Sequence, residues 1–551
     1  MKTDKLIDAI GMIDDDLIAQ ADEKTQKENF YFVKCLAAVA AVFLIVFTVV
    51  PFLKQDKPVI DNPLVEQTTH SEEQNSTEPN NPTKQDNPTE PTNPTNNDEP
   101  SSPINPSVND EPTSPTGPSG NDEPTSPTTL PNNDNPLQPV LMRLRMARYP
   151  IMARYPTDEM NMLQVSAWEM SKKERRAYYG AGQNLSVFFG KTTKEFLSGS
   201  GDENRLYSPL NVYMALAMTA EITDGETRQQ ILDLIGADGI ESLRTQANSV
   251  WNANYSDDGA VTSILASSLW LNEGITFNKK VINTLATNYY ASSYQGTMGS
   301  DKVNKALQKW LNEQTGGMLN NQVGNIELEP ETVIAIATTI FYQAKWGYEF
   351  SESYTKESVF HSATGDITCD FMNQTDYDGV YYWSEKFSAV SKELEGSGKM
   401  WFILPDENVS VDKLLSDNQA LSFMTCNGKW DNKKQLKVNL SVPKFDISSS
   451  MDLKDGLQNL GVVNCFDHTK SDFSSLCEDY DEPMYISKAQ HGVRVAIDEE
   501  GVTATAYTAM FIPGASMPPE DEIDFVVDRP FLFVITSEDG LPLFAGVVNQ
   551  P

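Results

Sequence analysis

Hydrophobic and polar positions divide the chain into four stretches. Residues 1–34 are short and mixed in charge, with aliphatic residues at helical spacing in Leu6, Ile7, Ile10, Ile13, Leu17 and Ile18. Cys35–Leu53 then runs without a charge between Lys34 and Lys54. As a helix rising roughly 1.5 Å per residue, the nineteen positions of that run reach about 28 Å, close to the hydrocarbon thickness of a bilayer, and predict a single transmembrane helix. A cleaved signal peptide is the competing reading. The long mixed-charge tail before the run, the run's own length and the lack of a small-x-small site after it favour an uncleaved anchor. The next stretch, 54–156, has almost no large aliphatic residues over most of its length and predicts a disordered stalk.

The globular pattern occupies 157–551, with its core from 183. Val187, Phe188, Phe189, Phe196 and Leu197 begin a helical pattern, and Tyr207-Ser208-Pro209-Leu210-Asn211 opens another carrying Val212, Met214, Ala215, Leu216 and Met218. Strand-like runs come later, at 333–342, 400–404, 436–442, 485–486 and 492–497. Helices first and antiparallel strands later predict an α+β fold, with ample chain for a sizeable core.

One late run carries two signals. From Val502 to Ile512 small and apolar residues alternate, so an extended chain would place Val502, Ala504, Ala506, Thr508, Met510 and Ile512 on one face. The run starts at the acidic turn Asp498-Glu499-Glu500-Gly501 and ends in Pro513-Gly514-Ala515-Ser516-Met517-Pro518-Pro519, which disfavours a ladder and favours a loop.

Composition narrows the function classes. The 42 Lys and Arg against 78 Asp and Glu leave a formal net charge of -36, and no basic patch of size offers a nucleic-acid surface. Cys35, Cys369, Cys426, Cys465 and Cys477 lack zinc spacing, although Cys465 and Cys477 could pair if their geometry allows. The four histidines form no HExxH motif, GxSxG is absent, and Gly190-Lys191-Thr192 lacks the first glycine of a phosphate loop. The acidic run at 478–482 lacks the ligand spacing and glycine turn of a calcium loop. Neither an enzyme, a cofactor nor a metal is expected. Within the stalk, Asn-Asp-Glu-Pro recurs every twelve residues at 97–100, 109–112 and 121–124. In polyproline form at about 3.1 Å per residue it could extend on the order of 250 Å; a glycosylated, mucin-like stalk is the alternative. Residues 139–157 repeat Met-Ala-Arg-Tyr-Pro at 146–150 and 152–156, read as a junction duplication without a site.

Several blocks in order resemble the serpin family. Asp524–Ile535 and Leu541–Pro551 resemble its C-terminal strands; Leu265–Leu271, Trp310–Gly317, Phe341–Trp346, Val442–Phe445 and Leu453–Gly461 resemble earlier signatures. The resemblance runs from about 183 to 551. It implies three β-sheets, about nine helices and an exposed reactive-centre loop that baits a protease and then enters the main sheet as a new strand.

By position, the resemblance assigns Glu499, Glu500, Gly501, Val502, Ala504 and Ala506 to the hinge of that loop. Ser208 and His491 match the polar "shutter" beneath the parting sheet, with Asn211 where serine is common and Thr338 where asparagine is usual. Trp346 matches the "breach" where the loop first enters. Val502 departs from the usual threonine or serine, yet it is compact and β-branched. Counting from the hinge places the reactive bond between Ala515 and Ser516, with Ser516-Met517 as second choice. A small bait residue suits an elastase-like or subtilisin-like serine protease and disfavours trypsin-like enzymes, while the family resemblance also allows a cysteine protease as the target. The implied protein is a monomeric protease inhibitor, tethered with its N-terminus in the cytoplasm and its domain outside a cell, with a bacterial surface suggested by the tail. The rival is a non-inhibitory serpin-fold binding or adhesion domain on the same stalk.

Overall fold

The computed structural model describes residues 41–51, 142–145, 149, 152–156, 160–259, 261–316, 324, 326–396, 398–477, 482–502 and 521–551. Its strands, in chain order, begin with β1 (Ala41–Pro51), β2 (Met142–Arg145), β3 (Arg205–Tyr207), β4 (Ser256–Asp257), β5 (Val261–Asn272) and β6 (Ala291–Gly296). The middle of the chain supplies β7 (Ile334–Lys345), β8 (Lys356–Ser362), β9 (Gly365–Trp383), β10 (Phe387–Glu393), β11 (Lys399–Pro405) and β12 (Lys433–Pro443). Last come β13 (Phe445–Asp452), β14 (Met484–Ile497), β15 (Gly501–Val502), β16 (Glu522–Val526), β17 (Phe531–Thr536) and β18 (Pro542–Val548). Ten α-helices accompany them among the described residues, one more than expected.

The main sheet has the order β13-β14-β1-β7-β5-β6-β2, with β15 joining β7 and β4 joining β5. A second hydrogen-bonded network runs β16-β12-β9-β10-β11-β17-β18-β3, with β8 beside β9. That network is two sheets that share β9, which pairs with β8 along 365–371, with β12 along 371–382 and with β10 at Tyr382 and Trp383. The α+β expectation and its three sheets are therefore met. Residues 485–486 and 492–497, expected as separate runs, belong to one fourteen-residue strand.

The middle of the main sheet is covered on both faces, and its residues show why. Along β7, Ile334, Ile336, Ile340 and Tyr342 point into the principal core, whereas Ala335, Ala337 and Phe341 lie against Leu307 and Trp310 of the helix Asp301–Gln314. Small residues on the second face leave room for a helix to pack closely. Beneath the first face lies the helix Pro209–Ile222, all fourteen residues of which are buried. Ser208 accepts the amide of Asn211 as its N-cap, and Pro209, lacking an N–H, loses nothing at the first turn.

Two expectations change at the N-terminal side. The predicted transmembrane helix over 35–53 is not the conformation found: Ala41–Pro51 is a strand within the main sheet, in the same compact unit as the globular body. No helix among the described residues is long and apolar enough to cross a membrane. The physical reason lies in the residues, since Val, Ile, Phe and Thr fill a central strand as readily as they fill a bilayer. Tyr149 and Tyr155 of the doubled pentad, and β2 just before it, also do more than join. β2 adds an edge to β6; Tyr149 stacks on Tyr255 and Trp251 at 5.3 and 5.6 Å; and Tyr155 donates to Glu395 at 2.5 Å. Contacts with the body thus begin before residue 157. Cys465 and Cys477 are free buried thiols, and burial holds both above the ordinary thiol range.

Candidate functional site

Polar groups gather at the top and the middle of one line in the main sheet, where β7 and β14 face each other. At the top, the chain leaving β14 turns through Asp498, whose side chain accepts the amides of Glu500 and Gly501 at 3.0 and 3.1 Å. Burial raises the Asp498 carboxyl above its usual range, against the pull of those two hydrogen bonds. The turn delivers Gly501 opposite Lys345 and Val502 opposite Ala344 on β7. Gly501 must lack a side chain there, because a Cβ would lie 2.5 Å from the Ala344 carbonyl oxygen. Val502 is fully buried in the principal core.

Trp346 locks this turn to the sheet. Its indole Nε1 donates to the Asp498 carbonyl at 2.8 Å, its amide donates to the Glu500 carbonyl at 3.1 Å, and the Phe350 amide donates to the Glu499 carbonyl at 2.9 Å. Glu499 is only 8% exposed. Its carboxylate accepts Lys444 Nζ at 2.8 Å and Thr355 Oγ1 at 2.7 Å. Burial alone would raise the Glu499 carboxyl, but the hydrogen bonds from Lys444 and Thr355 outweigh it and hold the group below the usual glutamate range. Neither partner of Glu499 is predicted from the sequence. Lys444 lay in a recognised block, Val442–Phe445, but nothing in spacing shows that a side chain 55 residues before Glu499 would meet it.

A buried cation was also missed. Lys392 on β10 places its Nζ 4.3 Å from the Phe350 ring centroid and 5.5 Å from that of Trp346. It donates to the Tyr348 carbonyl and to Gln374 Oε1. Burial pulls its ammonium down to about 7.

The lower group lies under the middle of the sheet. Ser208 Oγ donates to the Leu543 carbonyl at 2.6 Å, and its amide donates to His491 Nε2 at 3.0 Å. Since Nε2 accepts, the His491 imidazole is neutral and carries its proton on Nδ1. Asn211 Nδ2 donates to the Thr338 carbonyl at 3.4 Å. Thr338 Oγ1 is buried without a hydrogen-bond partner among the described residues. This cluster ties the helix start at Ser208 to β7, β14 and β18.

The structure therefore brings Ser208, Asn211, Thr338 and His491 together, and separately Trp346, Glu499, Glu500, Gly501 and Val502. Ala504, Ala506, Ala515 and Ser516 lie outside the described residues. Between β7 and β14, along the line joining the two clusters, runs β1. The sequence does not predict it, because an apolar run carries no sign of which partner will bury it. No group of His, Cys, Asp and Glu suited to a metal occurs among the described residues.

Comparison with known proteins matches residues 183–551 to the model of a family described as serpin (serine protease inhibitor). A protein of Arabidopsis thaliana named Serpin-ZX is 28% identical over 379 residues, covering 64% of this chain and 93% of its own. Plasminogen activator inhibitor 1 of Sus scrofa is 26% identical over 389 residues, covering 67% of this chain and 92% of its own. Among solved structures, the thermophilic serpin tengpin in its native state superposes with a TM-score of 0.60 at 25% identity, over 75% of this chain and all of tengpin.

Proposed function

The chain belongs to the serpin family, and on that premise we propose that it inhibits serine proteases by presenting the loop after Val502 as bait. The observation that carries this reading is the pairing of Gly501 and Val502 with β7 at the head of the one-strand-wide space between β7 and β14, which β1 fills in this structure. A protease nucleophile attacks the Ala515 carbonyl, displaces the Ser516 amine and forms an acyl-enzyme. The freed hinge side then inserts between β7 and β14, about fifteen residues at roughly 3.3 Å each, carrying the attached protease some 50 Å. Distortion of the protease then prevents deacylation. Ladder hydrogen bonds and apolar burial drive the step.

Ala515 suits elastase-like or subtilisin-like proteases. Residues 35–53 anchor the chain in a membrane when helical, with 1–34 in the cytoplasm and the serpin domain displayed outside as a monomer on the stalk. Plasminogen activator inhibitor 1 is an inhibitor by its name, which agrees with this reading. A non-inhibitory binding domain is the second reading, favoured by the presence of β1 in the gap the loop would need.

The test mixes the full chain in lipid vesicles with pancreatic elastase, neutrophil elastase and subtilisin. An SDS-stable complex with the cut after Ala515 supports inhibition; cleavage without a complex and without a gain in heat stability refutes it.

A further inference from the structure

β1 pairs antiparallel with both banks of the gap. On β14 the partners run from Val42 opposite Arg494 to Pro51 opposite Met484, and on β7 from Ala41 opposite Tyr342 to Val49 opposite Ile334. β15 runs in the same direction on β7 just above, with Val502 opposite Ala344. Extending that hinge ladder one residue at a time would set Ala504 opposite Tyr342, Thr508 opposite Thr338 and Ile512 opposite Ile334. Those three partners are held by Ala41, Ile45 and Val49. Place for place, β1 occupies on β7 the positions that loop residues 504–512 would take.

We infer that the gap between β7 and β14 is a strand-binding site whose ligand is this chain's own segment Ala41–Pro51, and that this ligand blocks insertion of the loop. The inference rests on the inhibitory reading for its consequence, though not for the site. A central strand has its amides and carbonyls satisfied on two sides, so a bound β1 leaves no ladder groups for a second strand. Its residues, AVFLIVFTVVP, are uncharged and rich in strand-forming Val, Ile, Phe and Thr. The same composition suits a bilayer, where the run would be a helix. It cannot do both, because a ladder needs the backbone extended and a bilayer needs it coiled. Residues 52–141 join β1 to β2 within one chain, so the ligand is held at high local concentration. The segment therefore makes trapping conditional: a chain held in a membrane has an open gap, and a chain outside one is filled by its own anchor.

The test uses the full chain carrying Thr48→Cys and Lys488→Cys, which are ladder partners, with Lys488 on an exposed position of β14. It is compared in phosphatidylcholine vesicles and without lipid, the single-cysteine variants controlling for the native thiols. Mild oxidation is expected to cross-link the lipid-free chain, and at least tenfold less of the vesicle-bound chain. Covalent complex with pancreatic elastase is expected to be at least tenfold more abundant in vesicles. Val46→Pro, which removes one amide from the ladder, is expected to raise the lipid-free yield toward the vesicle level. No cross-link without lipid overturns the strand site. A cross-linked chain that traps as well as an open one overturns the block. Should no form trap any protease, the inhibitory reading and the block fail together, while the cross-link alone still decides the site.

Discussion

Thr338 on β7 and His491 on β14 stand level with each other on opposite banks of one gap, each paired with Ile45 of the strand between them. His491 is held from beneath by the Ser208 amide, and the Thr338 carbonyl by Asn211. The two residues thus mark where the sheet must part, and the helix start at Ser208 grips both sides of the opening.

Glu499 couples the hinge to pH. Its folded carboxyl lies below the unfolded value, so its stabilising effect is fully present above the ordinary glutamate range and is lost as pH falls through the depressed folded value. Glu499→Gln is expected to destabilise the protein by about 1–3 kcal/mol near neutrality. The gap between variant and wild type should close as pH falls from about 5 toward 3, read from urea midpoints. A gap that stays constant across that range would show that the carboxylate charge is not what Lys444 and Thr355 hold.

Lys392 carries a slope of the same sign in a higher pH window, as a penalty relieved rather than a stabilisation gained. With its ammonium pulled down to about 7, the unfolded chain binds more protons between that value and the ordinary lysine range, so this residue costs stability at low pH and less as pH rises. Lys392→Met is expected to stabilise the domain most below pH 7, with the advantage shrinking toward pH 10. Thermal midpoints of the two proteins from pH 6 to 10 check this.

Val502 reports insertion separately from cleavage. A charge at this fully buried position would have to be desolvated with no partner. Val502→Glu is expected to leave loop cleavage intact while reducing the yield of covalent complex at least tenfold, whereas Val502→Thr keeps it. Equal complex yields for Val502→Glu and wild type, measured on denaturing gels, would remove the hinge from the mechanism.

Ala515 sets the protease class. Ala515→Arg is expected to confer complex formation with trypsin and to lower it with elastase. Mass analysis of the released C-terminal fragment should place the new cut after residue 515; a cut after 516 moves the bait by one residue.

Much of the fold was legible along the chain. The helix start at Ser208-Pro209, the alternation of β7 and the strand pairs at the C-terminus all follow from local rules of capping, period and burial. The change of pattern at Gly501 and Val502, from an acidic turn to an alternating run, was legible as well, whereas their assignment to a hinge came from the family resemblance. Lys444, Thr355 and Lys392 were not. Each meets its partner across a large separation in sequence, and a polar side chain looks the same in the sequence whether it ends in solvent or against Glu499 or Trp346.

Residues 35–53 show the limit most plainly. The sequence by itself determined that this run must leave water, since nineteen uncharged apolar positions have no stable solvated form. Only the tertiary structure decided that Ala41–Pro51 lies extended between β7 and β14. Hydrophobicity states how strongly a segment is driven out of water, whereas the unpaired backbone groups on the two facing strands, which no local pattern in the segment encodes, determine where it is received.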